Sequence, residues 1–219
     1  MTHGGEFEAM RDMVLDKALA HVPFEGWSEK ALFEGAKDAG LSPEMALEAF
    51  PGGVADSLDY AASRADRAML AALDSVDLAA MRVRDRIATA IRARLELSRP
   101  HREAIQRALT VLARPPYLPL GAKTLWRTVD AIWYAAGDTA TDFNFYTKRA
   151  LLAGVYSATL VYWLNDSSPD YADTWAFLDR RLDDALRLPR LVGGLRDRLA
   201  AFPSPFALFK PPRTRHRAR

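Results

Sequence analysis

The sequence contains no cysteine, which excludes disulfide frameworks, thiolate metal sites and cysteine nucleophiles. Histidine is nearly as scarce. His3, His21, His101 and His216 are scattered along the chain, and none forms a Glu-x-x-His or His-x-x-x-His pair, so zinc and di-iron sites lack ligands at the usual spacing. No phosphate-cradling glycine loop is present, because Gly193-Gly194 stands without the rest of such a motif. Ser167-Ser168 follows Asn165-Asp166 and precedes Pro169, which is turn and cap chemistry rather than a nucleophile elbow. Neither an enzymatic role nor a cofactor is expected. The N-terminal segment MTHGGEFEAM has neither the basic segment nor the apolar run of a signal peptide. A cytoplasmic location is therefore expected.

Alternating strand patterns of five or more residues are also missing, while apolar residues recur at three and four spacing almost everywhere. The fold class is all α. The spacing predicts helices over 6–20, 28–39, 43–49, 53–73, 76–98, 100–113, 122–135, 142–165, 170–187 and 189–201. The segment ARPPYLPLG, 113–121, is the clearest break, since its three prolines remove helical donors. Three parts are expected: 1–60, 61–188 and 189–219. Five carboxylates, Asp138, Asp142, Asp166, Asp170 and Asp173, cluster in the C-terminal half. They could serve as acid and base or hold a hard cation, but they sit at helix starts, where carboxylates satisfy free N–H groups.

Net charge is only +2, yet it is unevenly spread. From Pro189 onward there are eight Lys or Arg and one acid, Asp197, which leaves 22 basic against 27 acidic residues before that point. A basic tail on an acidic body suits an anionic surface, membrane or nucleic acid. Leu188, Leu191, Val192, Leu195, Leu199 and Phe202 follow helical spacing, with Arg190, Arg196 and Arg198 facing elsewhere and Phe206 and Phe209 beyond. That is an amphipathic helix suited to an anionic leaflet. The alternative is a helix packed on its own domain.

Residues 22–60 follow the order of a helix-turn-helix: Gly26-Trp27 before the second helix, Ala39-Gly40-Leu41-Ser42 as the turn, and Phe50-Pro51-Gly52 after a short helix. This resembles the N-terminal domain of TetR-type repressors. The chemistry opposes DNA reading, because the segment has eight acids and two lysines, and the helix in the recognition position, 43–49, offers two glutamates and no cation. A retained scaffold without a nucleic-acid partner is expected.

The stretch TDFNFYTKRALLAGVY, 141–156, puts Asp142, Phe145, Tyr146 and Arg149 on one helical stripe. Aromatic and Arg residues of this kind make either interface contacts or ordinary core. The run that follows, Ala150 to Leu164, holds fifteen uncharged residues. At about 1.5 Å per residue it spans roughly 22 Å, short of the roughly 30 Å hydrocarbon core of a bilayer. A helix apolar all round is central in the fold or lines an apolar cavity, and spacing leaves both readings open.

Residues 133–182 closely resemble the C-terminal domain of the ubiquinone-biosynthesis accessory family, the ninth-numbered coenzyme Q proteins. The likeness rests on Ala136-Gly137-Asp138, Thr141-Asp142-Phe143-Asn144, Tyr146-Thr147-Lys148-Arg149-Ala150 and Asp173-Thr174-Trp175. The resemblance implies a non-enzymatic lipid-binding protein of TetR-like fold that presents isoprenoid quinone intermediates to the di-iron demethoxyubiquinone hydroxylase. The family's hydroxylase-contact patch falls on Asp142, Phe145 and Tyr146, with Phe145 replacing the tryptophan of animal members. Lipid, as an isoprenoid quinone intermediate or phospholipid, is placed beside helix 142–165, with Leu151, Val155, Tyr156, Tyr162 and Trp163 as expected contacts. Membrane contact is expected through Leu191, Val192, Leu195, Leu199, Phe202, Phe206, Phe209, Arg196 and Arg198, making the protein peripheral on the inner membrane. TetR-like folds usually pair through C-terminal helices, so a homodimer is expected. The competing reading is a TetR-like transcription regulator that senses a lipid.

Overall fold

In the computed structural model the backbone is described for residues 3–137 and 143–185, and side chains for residues 5–137 and 146–185. Every regular element among the described residues is helical: α1 (His3–Glu25), α2 (Glu29–Asp38), α3 (Pro43–Ala49), α4 (Gly53–Leu73), α5 (Val83–Leu97), α6 (Arg102–Leu112), α7 (Leu118–Ala135), α8 (Phe143–Asn165) and α9 (172–185), joined in four places by 3-10 turns. The described residues up to Leu182 belong to one compact unit. The predicted helix 189–201 lies outside the described residues.

Helices α1 to α3 form the helix-turn-helix that the sequence predicts. Ser28 caps α2 by accepting the Ala31 N–H at 3.2 Å, and Gly40 ends it at φ +75°, a conformation costly for any residue with a Cβ. Close packing of α2 on α1 needs a second glycine, since a Cβ on Gly35 would fall 2.5 Å from the Ala18 backbone nitrogen. Val14, Leu15, Ala18 and Val22 of α1 bury fully against Phe50, Ala46 and Leu32. Trp27 then reaches across to α6, its Nε1–H donating to the Ala104 carbonyl at 2.8 Å. The N-terminal motif is thereby fixed to the helices that follow.

Two boundaries differ from the sequence reading for local reasons. The predicted helix 76–98 is interrupted because the Asp77 carboxylate accepts the Ala80 N–H at 3.3 Å, closing a 3-10 turn (Leu78–Ala80), and α5 begins only at Val83. Conversely, the break at 113–121 is shorter than expected. Pro119 falls in the first turn of α7, where no intrahelical donor is required.

The apolar run in α8 is not buried all round. Leu152, Val155, Tyr156, Thr159 and Trp163 form its buried face, whereas Ala150, Gly154, Ala158, Val161 and Tyr162 are exposed. This helix therefore leaves an apolar stripe facing solvent.

Helices α4, α5 and α7 are tied by a buried charge. Asp66 accepts Arg94 Nε at 3.0 Å, Thr128 Oγ1 at 2.9 Å and Arg127 Nε at 3.4 Å. Both members of the central pair are over nine-tenths buried. Arg94 also donates to Ser98 Oγ at 2.9 Å and to the Ala62 carbonyl at 3.5 Å. Removing one partner of such a pair strands the other charge in a low-dielectric interior. Asp66→Ala is expected to destabilise the fold by about 3–5 kcal/mol, read as a lowered urea midpoint, and Arg94→Met added to it restores part of the loss; an unchanged midpoint for Asp66→Ala contradicts the assignment.

Candidate functional site

A cavity of ≈ 400 Å³ lies among α4, α5, α6, α7 and α8, within the range of about 300–1,000 Å³ usual for small-molecule sites. Its origin is legible residue by residue. On α4, Ala61, Ala65 and Ala68 stand at i, i+4 and i+7, so a strip of small side chains faces inward where larger ones would fill the space. Ile105, Leu109 and Leu112 from α6 and Leu125 from α7 supply the opposite apolar walls. Helix α8 closes the cavity with Tyr156, Ser157, Leu160 and Val161, and Leu19 and Trp27 reach it from the helix-turn-helix. Apolar surface dominates, so a ligand entering it gains chiefly by leaving water.

Polar groups are few and mostly engaged. Arg94, Ser98, Thr124 and Thr128 line the cavity, with Arg94 held by Asp66 and Ser98 as described. Arg64 also lines it, paired with Asp16 at 2.6 Å and Asp12 at 3.4 Å. Burial lowers the His101 imidazole below its usual range, the Arg64 cation lowers it further, and Asp16 opposes this. Burial raises the Tyr156 phenol above its usual range, against the pull of Arg94. At neutral pH both groups are uncharged.

Of the five lipid contacts expected from sequence, Tyr156 lines this cavity. Leu151 is half-buried and Val155 is buried, but neither lines it. Tyr162 stacks on Phe177 with centroids 4.5 Å apart, and Trp163 packs on Tyr171 at 5.7 Å beneath the Arg102 guanidinium. These two aromatics join α8 to α9 and the turn before it. Beside Tyr156, the cavity lining from α8 comprises Ser157, Leu160 and Val161, the last of them also exposed to solvent.

The stripe beginning at Asp142 divides. Tyr146 is 64% exposed, and its ring lies 6.2 Å from Trp126 of α7. Arg149 is buried and holds Asp130 at 2.7 Å, so it braces α8 on α7 rather than sharing the surface with Tyr146. Asp142 and the Phe145 side chain lie outside the described residues. So do the proposed membrane contacts Leu191, Val192, Leu195, Arg196, Arg198, Leu199, Phe202, Phe206 and Phe209.

Among the clustered acids, Asp166 caps rather than catalyses. Burial tends to raise its pKa, but the Thr174 hydroxyl and the backbone N–H groups of Ser168 (2.7 Å) and Thr174 (2.9 Å) hold it at about 2. Among the described residues, no three His, Asp or Glu side chains gather as a metal site. No helix there is long and apolar enough to cross a membrane.

Similarity to known proteins follows the same division into a general fold and a specific C-terminal part. The TetR transcriptional regulator from Nitrosomonas europaea superposes with a TM-score of 0.67 at 22% identity, covering 81% of this chain and 98% of that one. The COQ9 family model matches residues 118–189. The rat ubiquinone biosynthesis protein COQ9, mitochondrial, is 35% identical over 188 residues, and its human counterpart 36% over 187; in both cases 83% of this chain is covered. A probable COQ9 protein of Dictyostelium discoideum is 25% identical over 180 residues. The chain spans about 60% of the length of these relatives. With that likeness running through both the helix-turn-helix and the cavity-bearing helices, this chain belongs to the COQ9 family and carries a TetR-like all-α fold.

Proposed function

We propose that this protein acts in ubiquinone biosynthesis as a non-catalytic carrier, holding an isoprenoid quinone precursor and presenting it to the di-iron demethoxyubiquinone hydroxylase. The cavity among α4 to α8 supports this reading most directly. It is apolar, lies in the fold's helical C-terminal region, and occurs in a chain whose relatives are ubiquinone biosynthesis proteins. Burial of a prenyl tail there contributes about 25 cal/mol for each Å² of apolar surface removed from water.

The docking surface is placed around Tyr146 and its ring neighbour Trp126, where two aromatics are accessible on adjacent helices. Asp142 and Phe145 extend it in sequence, and Arg149 serves it by fixing α8 from beneath. The exposed apolar stripe of α8, including Val161 at 54% exposure, supports self-association as a homodimer. Basic residues beyond Pro189 supply attachment to an anionic membrane, which places the protein peripherally at the inner-membrane surface. A lipid-sensing DNA reader is the weaker reading. Glu44 and Glu48 are exposed on α3 and would meet phosphate with like charge.

Storage and docking separate by mutation. Ala65→Phe fills the cavity from α4 and is expected to reduce bound prenyl lipid tenfold or more with an unaltered helical CD spectrum. Tyr146→Asp leaves lipid content unchanged and weakens co-purification of the hydroxylase. Equal lipid content in Ala65→Phe removes the cavity from the account, and undiminished co-purification with Tyr146→Asp removes the patch. Deleting residues 189–219 is expected to abolish flotation with anionic liposomes without changing a dimeric sedimentation mass; retained flotation rejects the tail contact, and a monomeric mass for the intact chain rejects pairing.

A further inference from the structure

Three of the residues lining the cavity are exposed: Ala68, Leu97 and Val161. Val161 belongs to the α8 stripe that the proposed pairing covers, which leaves the edge of α4 and the end of α5 as the free approach. On α4, Ala68 stands one turn beyond Arg64, and just past Leu97 the chain turns at His101; Arg64 and His101 are half-buried members of the same lining. Arg64 reaches from the lining to α1, where its Nη1 holds Asp16 at 2.6 Å and Asp12 at 3.4 Å, and the side chains of those acids are 60% and 41% accessible. His101 lies close enough to feel both Arg64 and Asp16. An ion pair thus joins the helix-turn-helix to α4 at the rim where the cavity meets water.

The joint it closes is weak. On one side α1 packs against α6 through an apolar core, with Val14, Leu15 and Ala18 buried alongside Ala104 and Val111, and Trp27 donates to the Ala104 carbonyl. Against α4 that core stops at Leu58 and Tyr60. Beyond them α1 and α4 meet through polar side chains: Glu8 with Arg67 at 2.9 Å, Asp12 accepting from the Tyr60 hydroxyl at 2.8 Å, and the Arg64 pairs. Ion pairs with partners this accessible contribute little and re-form readily. We infer that the rim at Arg64 is the entrance of the cavity and that the Arg64–Asp16 pair is its latch. When the pair opens, Leu19 of α1 and the Ala61 and Ala65 strip of α4, which line the two sides of that seam, part to let cargo through. The inference rests on the cavity being the binding site of the carrier reading, and adds how it is entered. A latch bars entry and exit equally, so breaking it speeds both rates and leaves their ratio, the Kd, where it was. A residue that only shapes the site changes Kd instead.

Stopped-flow mixing of the full-length protein with N-phenyl-1-naphthylamine, an uncharged apolar fluorophore, reads both rates, and Ala65→Phe, which fills the cavity, identifies the signal that belongs to it. Asp16→Asn and Arg64→Met are each expected to raise association and dissociation rates together by about 2–5-fold, the worth of one accessible ion pair, at unaltered Kd. Arg67→Ala, which removes an ion pair of the same seam outside the cavity lining, leaves both rates unchanged. Because the chain has no cysteine, Asp16→Cys combined with Arg64→Cys can be bridged specifically by a short bismaleimide, and bridging is expected to all but stop exchange. Rates no faster than wild type in Asp16→Asn or Arg64→Met, equal acceleration by Arg67→Ala, or undiminished exchange in the bridged protein overturns the latch and leaves the carrier reading standing. A probe signal that Ala65→Phe does not remove, or no signal at all, overturns the cavity as the binding site and the entrance with it.

Discussion

The Asp66–Arg94 pair is the constraint around which the larger part of the molecule is arranged. A carboxylate and a guanidinium this deeply buried tolerate one another only with nearly every lone pair and donor satisfied, and the partners that do so come from α4, α5 and α7. The geometry of those helices is consequently restricted where their packing alone would leave freedom. Pairs of this kind need not add net stability compared with an apolar core. Here the pair holds three helices beside an incompletely filled space and leaves the space without an uncommitted charge.

That space is costly when empty, because its lining side chains lose dispersion contacts on one side. A ligand occupying it returns those contacts and stabilises the folded chain by mass action. The small side chains of Ala61, Ala65 and Ala68 are thus useful rather than merely compatible with a helix, and the surrounding leucines and isoleucine define an interior suited to a chain-like hydrocarbon. The lining of the cavity and the exposed rings of Tyr146 and Trp126 draw on the same two helices, α7 and α8. Under the carrier reading, cargo and docking surface share those helices, and the helix-turn-helix contributes a wall to the cavity through Leu19 and Trp27.

The order of the helices was legible because local chemistry dictates it. Gly26, Gly40, Pro51 and the apolar spacing of α1 to α4 act within a few residues of themselves, and the helix-turn-helix appeared where they indicated. Misplaced boundaries arose where a side chain bonded its own backbone, as at Asp77, or where a proline opened a helix, as at Pro119. The cavity was less accessible to sequence reasoning. Its helix α8 was identified, but which of its residues line the space depends on packing against α7, α5 and α6, which leaves Ser157, Leu160 and Val161 beside Tyr156 in the lining and buries Val155 and Trp163 elsewhere. Ala61, Ala65 and Ala68 did carry a signal, a run of small residues at helical spacing. Arg149 shows the converse limit, since a charged residue on a plausible surface stripe is buried by an acid nineteen positions earlier, Asp130.

The central claim is that the cavity holds a prenylated quinone precursor, and mass spectrometry of lipid extracted from the native, gently purified protein tests it most directly. The account predicts a prenylated, uncharged quinone precursor in near-stoichiometric amount. Recovery of phospholipid alone, or of no lipid, would contradict it.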